Sequence, residues 1–250
     1  MESSPPDRRR RAHGIGRHRE AAEQHERAVV LFHSVGDAQG EADVLNNLGI
    51  VLELVEDFTA AVERYERALA LYRSMDHPFG EASALGNLGI LLVRLGDHTT
   101  AAGHLEPALT LFRRLGNTSG TGHALSNLGN ALSGLGRHAE AAGHQREALE
   151  LFRRIGERYG ETGALNGLGE ALHGLGRPAE ALDAHAQALE VAREIEEQEE
   201  QARAHVGTAA VLRAGEDVAG EVTHLRAALT LYTALDSPRA QEVTKLLDGH

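Results

Sequence analysis

Ala84-Leu85-Gly86-Asn87-Leu88-Gly89 returns forty residues on as Ala124-Leu125-Ser126-Asn127-Leu128-Gly129, and again as Ala164-Leu165-Asn166-Gly167-Leu168-Gly169. Leu85, Leu88, Leu92 and Leu95 step by three and four residues, the spacing of one helical stripe. Gly96 follows where a left-handed residue would stop the helix, and the same Leu-Gly pair recurs at Gly136 and Gly176. After this short turn, Ala101, Leu105, Ala108, Leu109 and Phe112 mark the buried side of a second helix that must fold back on the first. Each forty-residue unit therefore reads as a helical hairpin, A then B. So small a unit cannot bury its own apolar face, and a fixed period implies stacked units sharing one elongated core, an all-α solenoid of antiparallel hairpins.

The columns of the repeat show how the hairpins pack. Gly49, Gly89, Gly129 and Gly169 on the A helices face Ala61, Ala101, Ala141 and Ala181 on the B helices, while Ala28, Ala68, Ala108, Ala148, Ala188 and Ala228 fill a third column. Small residues let helix axes approach toward the lower end of the usual spacing of roughly 8 to 10 Å. Phe32, Tyr72, Phe112, Phe152 and Tyr232 form an aromatic packing column. Residues 1–17 read as a disordered basic tail and 18–39 as an orphan helix B. Five hairpins follow at 40–79, 80–119, 120–159, 160–199 and 200–239, and 240–250 forms a capping helix with Val243, Leu246 and Leu247 on one side. Three breaks stand out. Pro107 falls inside a helix B and predicts a kink. Glu194 to Gln201 lacks a Gly or Pro stop and predicts a blurred helix boundary. The fifth hairpin carries His205 where Leu belongs.

These columns resemble the tetratricopeptide repeat family: a large apolar residue, Leu-Gly, an aromatic or Leu, then Ala, an aromatic or Leu, and Ala, over about residues 15 to 239. The forty-residue period is similar to the long-repeat branch, with its kinesin light chains, Pins-like adaptors and actinobacterial regulators. The resemblance implies a right-handed superhelix whose A helices line a concave, partner-binding wall. Chaperone-binding members hold a C-terminal carboxylate with Lys and Arg on the first A helices. Here that surface has Asp43, Asn46, Glu53, Ser83 and Gly86 with only Arg94 nearby, so such a clamp is not expected.

On that wall the candidate peptide-binding residues are Asn46, Asn47, Ile50, Asn87, Ile90, Arg94, Asn127, Asn130 and Asn166. The column Asn47, Asn87, Asn127 is the most functional in character, because an amide can both donate to and accept from an extended peptide backbone. With A helices roughly 10 Å apart and a peptide rising about 3.3 Å per residue, one Asn would meet every third residue. The same amides can instead brace neighbouring helices.

The net charge of -12 opposes binding to nucleic-acid phosphates or anionic membranes, and the absence of cysteine fits a cytoplasmic protein. No apolar run is long enough to span a membrane. Neither a phosphate-cradling loop nor a nucleophile motif occurs, so no enzyme and no cofactor is expected. The fifteen histidines include no i, i+4 pair, and the column His104, His144, His224 reads as a repeat position, so no metal is expected either. The reading is a non-enzymatic scaffold for a partner protein or peptide, with the orphan helix as a candidate surface for self-association. The alternative is the sensor arm of a larger transcriptional regulator or nucleotide-binding ATPase, truncated at its N-terminus.

Overall fold

The computed structural model describes residues 5–249, with side chains from residue 16 onward. Among the described residues there are twelve helices and no strand: α1 (Pro5–Val35), α2 (Ala38–Leu54), α3 (Phe58–Ser74), α4 (Pro78–Arg94), α5 (His98–Arg114), α6 (Thr118–Gly134), α7 (His138–Ile155), α8 (Arg158–Gly174), α9 (Pro178–Glu194), α10 (Gln198–Ala214), α11 (Val218–Ala234) and α12 (Arg239–Asp248). The chain divides into two compact units, Met1–Gly120 and Thr121–His250. Within each, helices adjacent in sequence pack as hairpins; α2 also touches α4, and α8 touches α10, so A helices stack on A helices.

The even-numbered helices α2 to α10 are A helices and the odd-numbered α3 to α11 are B helices. Every turn between helices is built alike. A residue with positive φ stands at Gly36, Glu56, Asp76, Gly96, Gly116, Gly136, Gly156, Gly176, Glu196, Glu216 and Asp236, a spacing of twenty throughout. The amide after it reaches back across the turn to a carbonyl in the last turn of the helix, as Asp97 N to Leu92 O at 3.0 Å and Glu157 N to Phe152 O at 3.0 Å, the signature of a Schellman stop. The next helix starts at once, and Asp37, Asp57, Asp97 and Asp217 cap it by accepting from the amide three residues on.

In the first unit, Leu45, Ala68, Leu69, Tyr72 and Leu85 form one core cluster and Leu48, Ala61, Tyr65, Leu88 and Leu91 another. Gly49 is obligatory here, since a Cβ would stand 2.5 Å from the Tyr65 ring. In the second unit Ala202, Leu225, Ala228, Tyr232 and Val243 close the core beneath α12. The α1 helix packs on α2. Its Leu31 is 61 % exposed, whereas Leu71 and Leu111 at the same repeat position are half-buried.

Two sequence expectations change, and the helix with the expected kink is continuous. Residues 5–17, read as a disordered tail, continue α1, consistent with proline in the first turn and with the helix-forming Arg8 to Ala12; residues 1–4 lie outside the described residues. The boundary near Glu194 is as sharp as the others, because Glu196 takes the left-handed conformation at φ 59° that glycine supplies elsewhere. The α5 helix runs unbroken through Pro107, which lies on the solvent side next to the open surface at Gly103, where water can satisfy the carbonyl left without a donor.

A non-glycine residue held left-handed costs about 1 kcal/mol or more. Glu196→Gly is therefore expected to raise the unfolding free energy by about 1 kcal/mol and Gly136→Ala to lower it by about as much. Urea denaturation followed by circular dichroism checks both; two variants indistinguishable from the parent would contradict the shared turn geometry.

Candidate functional site

In the first unit the outer stripe of α2 presents Asp43, Asn46, Asn47, Ile50 and Glu53, and that of α4 presents Ser83, Asn87, Ile90 and Arg94. The α3 helix ties down both carboxylates. Tyr65 donates its hydroxyl to Glu53 at 2.6 Å, and Tyr72 donates to Asp43 at 2.7 Å. Burial, then the neighbouring carboxylate, raises both phenol pKa values, so both keep their protons as donors. Arg94 donates to Glu53 at 2.7 Å and lies 5.2 Å above the Phe58 ring, which occupies its charge.

The amide column does not act as one. Asn87 Nδ2 donates to Asn46 Oδ1 at 3.1 Å, a brace between α4 and α2. Asn47 is exposed and Asn127 on α6 is half-buried, and neither makes a hydrogen bond among the described residues. Ile50 is 43 % exposed and Leu54 54 %, while Ile90 is half-buried. Along α2 an unbonded amide thus stands beside two aliphatic side chains.

In the second unit the stripe is locked into a polar network. Gln145 of α7, fully buried, accepts from Ser126 Oγ at 3.0 Å and donates to Ser126 O and Asn130 Oδ1, both at 2.9 Å. Arg203 of α10 grips Glu170 of α8 bidentately at 2.8 and 3.1 Å and reaches Asn130 Oδ1 at 3.5 Å. Burial would raise the Glu170 pKa, but the Arg203 charge and its hydrogen bonds hold it below the usual carboxylate range. Asn166 donates to the Glu200 backbone carbonyl at 3.1 Å and to its carboxylate at 2.8 Å. Because Asn166 is 0 % exposed, it leaves the set of accessible candidates: α8 and α10 close over it.

The network also explains why the amide column stops. At Gly167 any Cβ would run into the Gln145 amide and Asn130, and at Gly207 into the His185 ring. The column Tyr65, Leu105, Gln145, His185, Leu225 is buried throughout. Its two polar members break an apolar pattern at a forty-residue spacing, the sequence signal that marks this network.

His185 lies 3.3 Å from Asn166 Oδ1 through Nδ1, and Nε2 is buried without a partner. Since the Asn166 amide hydrogens are spent on Glu200, the hydrogen-bond pattern assigns the ring proton to Nδ1. Burial pushes its pKa down from 6.5 to about 4, with Glu170 opposing the shift. A depressed histidine binds its proton less tightly folded than unfolded. Its contribution is therefore whole above pH 6.5 and shrinks as pH falls toward 4. His185→Leu, the residue present at Leu105 and Leu225, is expected to flatten the fall in melting temperature between pH 6.5 and 4. Thermal melts at half-unit pH steps test this, and parallel profiles for variant and parent would rule it out.

The tetratricopeptide repeat model TPR_12 matches residues 12–74 and 80–154, and a second tetratricopeptide repeat model, TPR_10, matches 162–199. None of the curated proteins compared matches the chain. Among solved structures, BtubC (BKLC) from P. vanneervenii superposes with a TM-score of 0.66 at 20% identity, covering 90% of this chain and 92% of its own. A Rap protein complexed with competence and sporulation factor gives 0.65 at 16% identity, with 78% and 59% covered. Aspartyl phosphate phosphatase F from Bacillus subtilis gives 0.67 at 12% identity, with 96% and 68% covered. At these identities the likeness is one of fold. The family models span more than half of the sequence in the register of the hairpins, and the chain belongs to the tetratricopeptide repeat family.

Proposed function

We propose that the chain is a non-enzymatic interaction scaffold, acting in the cytoplasm, that takes a peptide or helix of a partner protein on its A-helix face. The observation that carries this is the exposed run Asn47, Ile50 and Leu54 on α2, an unbonded amide beside aliphatic surface on a helix whose neighbouring charges are already paired. A buried peptide segment needs apolar contact plus a partner for its backbone, and this stripe offers both. In the first unit Asn46, Asn87, Ile90 and Arg94 frame it, with Asn87 as a brace rather than a contact. In the second unit Asn127 and Asn130 retain amide hydrogens, although Asn130 Oδ1 is taken up by Gln145. The Rap structure, solved with competence and sporulation factor, supports a partner-binding role for this fold.

A second reading, the sensor arm of a larger regulator, draws on the same likeness. Exposed Val30, Leu31 and Val35 on α1 support self-association through that helix. Asn47→Ala and Asn87→Ala separate binding from bracing. Asn87→Ala is expected to lower stability by about 1 kcal/mol, one neutral hydrogen bond, whereas Asn47→Ala leaves the melt unchanged. Against the partner identified by co-purification from source cells, Asn47→Ala and Ile50→Asp should weaken binding, measured by calorimetry with purified components. Affinity untouched by both substitutions would remove this face from the proposal.

A further inference from the structure

The α10 helix carries His205 at the position filled by buried leucine in every other A helix, at Leu45, Leu85, Leu125 and Leu165. Facing it on α11 is His224, whose repeat equivalents His104 and His144 stand opposite helices that keep the leucine. The two rings meet Nδ1 to Nδ1 at 3.0 Å, with centroids 5.1 Å apart and planes tilted by 55°. Of the five hairpins, this one alone replaces the core leucine with a second nitrogen ligand. The residues lie nineteen apart on two helices, so no short spacing in the sequence announces the pair.

We propose that His205 and His224 form a two-histidine clamp for a divalent transition-metal ion of the Cu(II) or Ni(II) class, with water completing its coordination. The distance suits a cis pair of ligands. Two nitrogens each about 2.0 to 2.1 Å from an ion and 3.0 Å apart subtend about 90°, the cis angle of a square-planar or tetragonal site. A tetrahedral zinc angle would need the nitrogens about 3.3 Å apart. Among the described residues no cluster of three or more His, Asp or Glu joins them, which also disfavours a structural zinc site. Both rings are half-buried, so water can reach the pair. Burial lowers both pKa values, that of His205 to about 4 with His224 and Arg193 adding to the shift, so the rings are neutral ligands at pH 7. Without metal the pair shares one Nδ1 hydrogen. Binding displaces it: the donor ring loses its Nδ1 hydrogen to solvent and takes one up at Nε2, so both rings bind as neutral Nε2–H tautomers through their Nδ1 lone pairs and no net proton is released. The ion then ties α10 to α11 in the last complete hairpin.

The test is titration of the tag-free full chain with CuCl2, followed by electron paramagnetic resonance and calorimetry. The expected result is one Cu(II) per chain, with nitrogen hyperfine splitting from two imidazoles and a higher melting temperature. His205→Leu, which restores the residue of the other repeats, and His224→Gln should each weaken that site about tenfold or more. His104→Gln, in the same column but without a facing histidine, should leave it unchanged. No saturable site in the parent, or equal affinity and splitting in His205→Leu and His224→Gln, would overturn the proposal and leave the pair as a hydrogen bond alone.

Discussion

One backbone constraint governs the molecule: a left-handed residue every twenty positions, from Gly36 to Asp236. It ends each helix with the same back-bonded turn and leaves only a short link before the next, so every helix must reverse against its predecessor. With helix length fixed, a given repeat position always meets the same neighbours. The columns of the sequence are the result. The forty-residue period is this twenty-residue structural period seen through alternating A and B helices.

Between those turns, side-chain size is matched pair by pair. Gly49 admits Tyr65, Gly129 lies against Gln145, and Gly169 and Gly207 enclose His185. In the first unit the large partners are Tyr65, whose hydroxyl engages only Glu53, and Leu105, and Asn47, Ile50 and Leu54 on the α2 stripe stay open. Where the large partner is Gln145 or His185, polar atoms in the core recruit Ser126, Asn130 and Asn166 from the stripe, because a buried polar group must be satisfied. The two units therefore present different faces on the same scaffold, one open along α2 and one bound up with itself.

The hairpins, the glycine stops at Gly96, Gly136 and Gly176 and the buried alanine columns were legible in the sequence because each rests on local periodicity. Glu196 was not, since a glutamate carries no local signal for the left-handed conformation that glycine marks elsewhere. Nor could periodicity separate the three column asparagines. Asn87 became a brace because Asn46 lies across from it, and the corresponding position before Asn127 is Gly86, which has no side chain to offer. The burial of Asn166 likewise depends on Glu200 and His185, residues far from it in the chain.

The distribution of turn residues in the second unit has a thermodynamic consequence. Three glycine turns, at Gly136, Gly156 and Gly176, precede three acidic ones, at Glu196, Glu216 and Asp236. Each acidic residue holds a conformation that glycine adopts without strain, so local stability declines along the unit toward α12. In a stack whose helices depend chiefly on their neighbours, partial opening proceeds from the weaker side. The last hairpin, with His205 and His224, is then the first cooperative segment to exchange its amide hydrogens, and α6 to α8 the last.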